Sequence, residues 1–274
     1  MSTPFETDLE AYARGGFQLV ELWLTKLETY LETHSIDDVH RLLGELQLKA
    51  VAAASQGGLL SLHAAERKLH TEQFQSRLAT LEQLGVGVVI VTGDFHQTPR
   101  ECDLATIVTA LGEAGELARN RGVRVALEFQ KSARFLASLD TAVAVAAQCG
   151  SDNVGICLDM FQYYCGPSKR DDLGYLSLEN LAWVQASDLI GVPRELATDS
   201  DRILPGEGSI EIEAIVDYLE RIGYAGPISL EAPNPMLWGI AAERVADVGF
   251  QAIRRILPGS RPKASGARDP RGGF

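Results

Sequence analysis

The chain has 274 residues and a formal net charge of −12, with 46% hydrophobic and 23% charged residues. That size fits one large domain of the α/β barrel type better than two small ones. The acidic balance argues against a nucleic-acid partner, which needs a basic face, and no apolar run approaches the ~20 residues of a membrane span.

The first residues, Met1-Ser2-Thr3-Pro4-Phe5-Glu6, have no basic start and no apolar stretch, so they are not read as a secretory signal. Residues 8–15 read as a crossover helix with almost no chain ahead of them to form a strand. The expectation is therefore a TIM-type (β/α) barrel whose first strand is missing or truncated. Residues 17–23 read as a strand. Residues 35–46 read as a helix with Ser35 as N-cap and two acids in its first turn. A weak strand at 48–53 and a long helix at 64–84 follow. Residues 87–92 (Gly-Val-Val-Ile-Val-Thr) are a buried strand. A helix at 104–120, a strand at 123–129, a helix at 139–149 and a strand at 154–159 continue the alternation. Beyond them come a loop with a short helix near Leu178, a strand at 181–187, a helix at 210–222, a strand at 227–231 and a last helix at 240–256. Seven strands alternating with helices imply a parallel sheet. The barrel is expected over residues 1–257, and residues 258–274, with Arg261, Lys263, Arg268 and Arg271 against Asp269, read as a disordered basic tail. Cys102, Cys149, Cys157 and Cys165 show no CxxC spacing. They read as free thiols in a reducing, cytoplasmic setting.

Three of the apolar runs end in a carboxylate: Glu128, Asp159 and Glu231. A carboxylate closing a buried strand is costly unless it is paired or bound to a cation. Parity gives the same answer on each strand. Ala126 and Glu128 point inward and Leu127 outward; Cys157 and Asp159, then Ser229 and Glu231, repeat the pattern, and Glu21 fits it as well. The carboxylates would then crowd at the mouth of the barrel, where their mutual repulsion raises pKa values unless a cation is present. Gln185, inward-facing on the adjacent strand, offers a fourth oxygen. An all-oxygen set favours Mn²⁺ or Mg²⁺ over Zn²⁺. The alternative is pairing of these acids with Arg or Lys at the rim.

The stretch Gly155-Ile156-Cys157-Leu158-Asp159-Met160-Phe161-Gln162-Tyr163-Tyr164-Cys165-Gly166 resembles the sixth-strand motif of the xylose isomerase-like TIM barrels. Val184-Gln185-Ala186-Ser187-Asp188, Asp201-Arg202-Ile203-Leu204-Pro205-Gly206-Glu207-Gly208 and Gly223-Tyr224-Ala225-Gly226-Pro227-Ile228-Ser229-Leu230-Glu231 are similar to its later motifs, and Gly16-Phe17-Gln18-Leu19-Val20-Glu21-Leu22-Trp23 to its second strand. The likeness covers about residues 8–257. It implies one divalent ion held by Glu128, Asp159, Gln185 and Glu231, with Glu128 and Glu231 shuttling a proton through an enediolate. Barrels of this group often pair, so a homodimer is possible. This sequence departs from the ketose epimerase branch at Gln185 and at Gln162, where histidine is usual. Gln162 then reads as a hydrogen-bonder to substrate. The endonuclease branch needs several histidines that are absent here, which again speaks against nucleic acid.

Further substrate-binding candidates are Arg202, on a loop over the mouth, and Trp23, which follows the second strand and could stack on a sugar face. His96, after the strand at 87–92, is another. For Arg202 the alternative is a loop salt bridge; for Trp23, packing; for His96, a loop residue without a role. Three functions are compatible with this set: a sugar or keto-polyol isomerase or epimerase, a dehydratase using the same enediolate, and a non-catalytic sugar-binding barrel.

Overall fold

In the computed structural model, which describes residues 3–95 and 98–257, the seven expected strands form one parallel sheet. In chain order its first six strands are β1 (Leu19–Trp23), β2 (Lys49–Gln56), β3 (Val88–Thr92), β4 (Arg124–Glu128), β5 (Val154–Asp159) and β6 (Leu181–Ala186). A small antiparallel pair follows, β7 (Asp188–Leu189) with β8 (Arg202–Ile203), and β9 (Ser229–Leu230) is the last strand of the sheet. The spatial order is β1-β2-β3-β4-β5-β6-β9. The sheet curls into a TIM barrel that stops one ladder short of closure, since among the described residues no pairing joins β9 to β1. His96 and the stretch 258–274 lie outside the described residues.

The helices are α1 (Phe5–Gly15), α2 (Leu24–Leu31), α3 (Ile36–Glu45), α4 (Ala64–Leu84), α5 (Leu104–Arg119), α6 (Leu139–Gln148), α7 (Met160–Cys165), α8 (Ile212–Arg221), α9 (Pro235–Trp238) and α10 (Ala242–Ile256). Strand parity divides the apolar residues as expected. Ala52, Ile90, Ala126, Cys157 and Trp183 make a small cluster inside the barrel. Val89, Val91, Val125, Leu127, Ile156, Leu158 and Val184 join the larger core between sheet and helices. At α3 the Asp38 amide donates to Ser35 Oγ (3.2 Å) and the Ser35 amide to the Asp38 carboxylate (2.9 Å), the capping box its first turn implies.

The structure departs from the sequence reading in several places, among them the unexpected β7–β8 pair and α9. α2 follows β1 directly, burying Leu24, Leu27 and Tyr30 at helical spacing. Residues after β5, expected as loop, form α7, whose N-cap is Asp159 itself: the Gln162 amide donates to Asp159 Oδ1 at 2.8 Å. Because α7 is buried on most sides, its sequence shows no amphipathic period. There is no helix at Leu178; the local turn is a 3-10 segment at Arg170–Tyr175. β9 is two residues long rather than spanning 227–231, because it pairs only with β6.

One carboxylate sets the loop that crosses the mouth. Asp188 is fully buried and accepts the amides of Leu189 (2.8 Å), Gly206 (3.0 Å), Gly208 (2.9 Å) and Ile210 (2.9 Å). A Cβ at Gly208 would lie 2.4 Å from Asp188 Oδ1, so the loop closes on the carboxylate only with glycine there. The clamp holds β8 against β7 and brings Arg202 to the barrel mouth. Asp188→Asn keeps the shape but turns two donors onto those amides. We expect it to cost about 2 kcal/mol or more, measured by urea unfolding, with a loss below ~0.5 kcal/mol contradicting the clamp.

Candidate active site

Glu128 ends β4, Asp159 ends β5, and Glu231 follows β9. One carboxylate oxygen from each lies within 4.8 Å of the other two. Glu128 and Asp159 are buried, and Glu231 keeps 31% of its side chain exposed. Arg202 enters this cluster from β8. It is as buried as Glu128 and Asp159, and its Nη1 donates to Asp159 Oδ2 (2.6 Å), Ser187 Oγ (3.2 Å) and Glu231 Oε2 (3.4 Å). Its Nη2 donates to Asp199 (2.7 Å), and its guanidinium stacks 4.4 Å over the Phe161 ring. The salt-bridge alternative weighed for Arg202 is thus realised, and its partners are the strand-end acids themselves.

The charges do not cancel. With all three carboxylates ionised, as a cation among them would favour, one guanidinium leaves an excess of two negative charges, equal in size to the charge of one divalent cation. Asp199 is 56% exposed, so water shares its charge. Burial, then Asp159, pushes the Glu128 carboxyl well above the usual carboxylate range, with Arg202 pulling the other way. Burial raises Glu231 too, opposed by Arg202 and reinforced by Glu128 and Asp159. Burial works against the Arg202 charge, but Asp159, Glu231 and Asp199 outweigh it and hold the guanidinium charged. A clustered, desolvated donor set of hard oxygens with surplus negative charge fits a divalent ion.

Gln185 is buried one strand away, level with Asp159 in the ladder. Its amide nitrogen donates to Glu21 Oε1 (2.8 Å), and its carbonyl accepts from the Cys157 thiol (3.2 Å). Glu21 also accepts from Trp183 Nε1 (2.6 Å) and Ser229 Oγ, and burial raises its pKa against those hydrogen bonds. The role of Glu21 was not read from the sequence, although it too is an acid set inside an apolar run. Asp199, Ser187 and Phe161 were also missed, and no local pattern marks them. Gln162 is buried, its Nε2 reaching Gln130 (3.2 Å) and Asp199 (3.3 Å) and its Oε1 accepting the Lys131 amide (2.9 Å). Trp23, 40% exposed, stands with Gln162, Arg202 and Glu231 around a cavity of about 580 Å³.

A parallel barrel with acids gathered at the carboxyl ends of its strands defines a class of enzyme scaffold. The chain belongs to the xylose isomerase-like TIM barrel family, which it matches over residues 9–256. It is 27% identical to the inosose isomerase of Halalkalibacterium halodurans over 86% of this chain and 85% of that one. It is 24% identical to the 3-dehydroshikimate dehydratase of Pseudomonas aeruginosa over 82% of this chain, which spans 36% of that protein. Among solved structures it superimposes on the IolI protein with a bound zinc atom at a TM-score of 0.87, with 23% identity and 93% of each chain covered.

The raised carboxyls carry a pH signature. A carboxyl whose folded pKa exceeds the unfolded value of about 4.3 favours folding below that pH, and the advantage is lost as pH rises through the folded value. A divalent cation favours the ionised forms and should offset the loss. The rise in melting temperature caused by millimolar Mg²⁺ or Mn²⁺ should therefore grow as pH is raised above about 4.3 and vanish in Asp159→Ala. A rise that survives Asp159→Ala would place the ion elsewhere.

Proposed function

We propose that the protein is a divalent-metal-dependent isomerase or epimerase acting on a small ketose or keto-polyol, a keto-inositol in the first instance, through an enediolate. The observation that carries this reading is the convergence of Glu128, Asp159 and Glu231 within 4.8 Å at the strand ends. The inosose isomerase relatives support the substrate class. Glu128, Asp159 and Glu231 would hold the ion, with the Gln185 carbonyl as fourth donor once it turns from Cys157. The oxygen set favours Mn²⁺ or Mg²⁺. Such an ion supplies charge that stabilises the enediolate.

The chain's own residues do the rest. In the sheet order, β4 and β9 are separated by β5 and β6, so Glu128 and Glu231 approach a bound substrate from different sides. One removes the proton α to the carbonyl and the other returns it. Arg202 stays paired with Asp159 and keeps that carboxylate ionised and oriented. The Gln162 amide, at the cavity wall, would hydrogen-bond a substrate hydroxyl by exchanging its bond to Gln130 or Asp199, and Trp23 offers a stacking face. Four free cysteines are compatible with the reducing, cytoplasmic setting expected from the sequence.

The experiment is proton NMR of a keto-inositol in D₂O with Mg²⁺-loaded protein. The reading requires loss of the α-proton signal at an enzyme-dependent rate. No exchange with any keto-inositol or ketose would leave a binding barrel as the better account. The dehydratase relatives favour a second outcome, expulsion of a β-hydroxyl from the same enediolate. It shows in the same tube as a vinylic signal.

Two sets of variants follow from the site. Glu128→Gln and Glu231→Gln should each lower turnover by ~10²-fold or more while retaining much of the metal affinity, since the amide oxygen remains but the base is gone. Near-normal turnover in both would remove these residues from the chemistry. Gln185→His should tighten Zn²⁺ binding, because one ring nitrogen can donate to Glu21 while the other faces the ion, and Glu21→Gln added to it should erase ~10-fold or more of the gain. Calorimetric titration with Zn²⁺ reads both, and an unchanged affinity in Gln185→His would show that this side chain does not reach the ion.

A further inference from the structure

Of the acids that meet Arg202, Asp199 is the most exposed, and it comes from the short turn Asp199–Asp201 ahead of β8 rather than from a strand end. The Asp201 carboxylate closes that turn by accepting the amide and the hydroxyl of Thr198 (2.8 Å each), which leaves the Asp199 carboxylate to point elsewhere. Side chains three residues apart on a 3-10 turn lie one above the other, and this spacing sets Asp199 against Arg202. Asp199 Oδ1 accepts both Nε (2.9 Å) and Nη2 (2.7 Å) of the guanidinium, and it accepts Gln162 Nε2 at 3.3 Å. Nη1 is taken by Asp159, Ser187 and Glu231. Every nitrogen of the guanidinium is thus engaged. The Nε–Nη2 edge, which a substrate carboxylate would grip as a fork, is covered by a carboxylate of the chain itself.

The other cations at the mouth are engaged too. Lys26 lines the cavity and is held by Asp8 and by Thr3 Oγ1 (3.3 Å). Lys131 donates to the backbone carbonyls of Arg194 (3.5 Å) and Ala197. Asp8, Glu21, Asp199 and Glu231 line the same cavity, four acids against the two cations Lys26 and Arg202. Gln130, Gln162 and Asp199 are joined by hydrogen bonds and form a contiguous set of hydroxyl partners on its wall.

Resting on the reading of this mouth as a polyol site, we propose that Asp199 is the residue that sets its specificity for charge: it fills the anion seat on Arg202 and accepts a substrate hydroxyl, so that uncharged polyols enter and polyols bearing a carboxylate are turned away. An acidic substrate would meet Asp199 as a like charge and find the guanidinium edge taken. A hydroxyl can donate, and the same carboxylate accepts it.

Quinate, a cyclohexane polyol bearing one carboxylate, and its uncharged amide make a matched pair of probes for the full chain. Neither has a proton α to its carbonyl, so binding is read apart from any turnover. Calorimetric titration at one fixed Mg²⁺ concentration should show the wild-type chain binding the amide ~10-fold or more tightly than quinate. Asp199→Asn removes the charge and keeps the shape, and Asp199→Ala uncovers the edge outright. Each should narrow the ratio by ~10-fold or more. In Asp199→Asn the change should come from tighter quinate binding, since the amide oxygen still accepts a hydroxyl. Circular dichroism checks that both variants fold, and the wild-type ratio tests the proposal without them. A wild-type chain that binds quinate as tightly as the amide overturns it. An unchanged ratio in folded variants that still bind the amide removes the role of Asp199 alone, whereas a wild-type chain that binds neither probe removes the polyol reading with it.

Discussion

The pairing of Arg202 with Asp159, inside the barrel mouth and away from water, is the interaction on which the site depends. A buried guanidinium is tolerated only where its donors are filled, and a buried carboxylate only where its charge is met. Here one residue meets both demands. Arg202 spends Nη1 on Asp159, Ser187 and Glu231 and lies flat on Phe161, the second residue of the helix that Asp159 caps. The Asp188 clamp is what brings Arg202 there. Loop, helix and strand end are thereby tied at one point. Yet one guanidinium against three acids leaves the mouth acidic, which is the ground on which a cation is proposed there.

Much of the architecture is written into short-range patterns. The Val154–Asp159 run announces a strand ending in an acid, and the alternation of Ala126, Leu127 and Glu128 assigns inside and outside correctly. Such features are legible because a strand's two faces meet different surroundings, so period two survives in the sequence. α7 and α2 are less legible for the opposite reason: one is buried nearly all round, and the other continues a strand without a break. Arg202 was read as lying on a loop over the mouth, but its pairing with Asp159 could not be read. It lies 43 residues from Asp159 in the chain, and only the Asp188 clamp and the short β7–β8 pair bring them together. Asp188 was visible as part of a motif, but its task, binding four backbone amides of its own loop, is a tertiary property.

The Glu21 network has a similar character. A carboxylate on β1 holds the amide of Gln185, the indole of Trp183 and the hydroxyl of Ser229 in one buried set. In doing so it ties the first strand of the sheet to the last across an unpaired gap, which explains how an open barrel keeps its curvature. It also orients the glutamine at the position where relatives of the epimerase branch are expected to carry histidine. The same carboxylate thus serves both the open side of the sheet and the floor of the site.

The central claim is that the acid cluster, with Arg202 inside it, takes up one divalent cation. Native mass spectrometry after dialysis against Mn²⁺, in a volatile buffer near neutral pH, tests this most directly. One Mn²⁺ per wild-type chain and none on an Asp159→Ala chain that is folded by circular dichroism is the predicted result. A wild-type chain that stays free of metal, or equal loading of the two proteins, would contradict it.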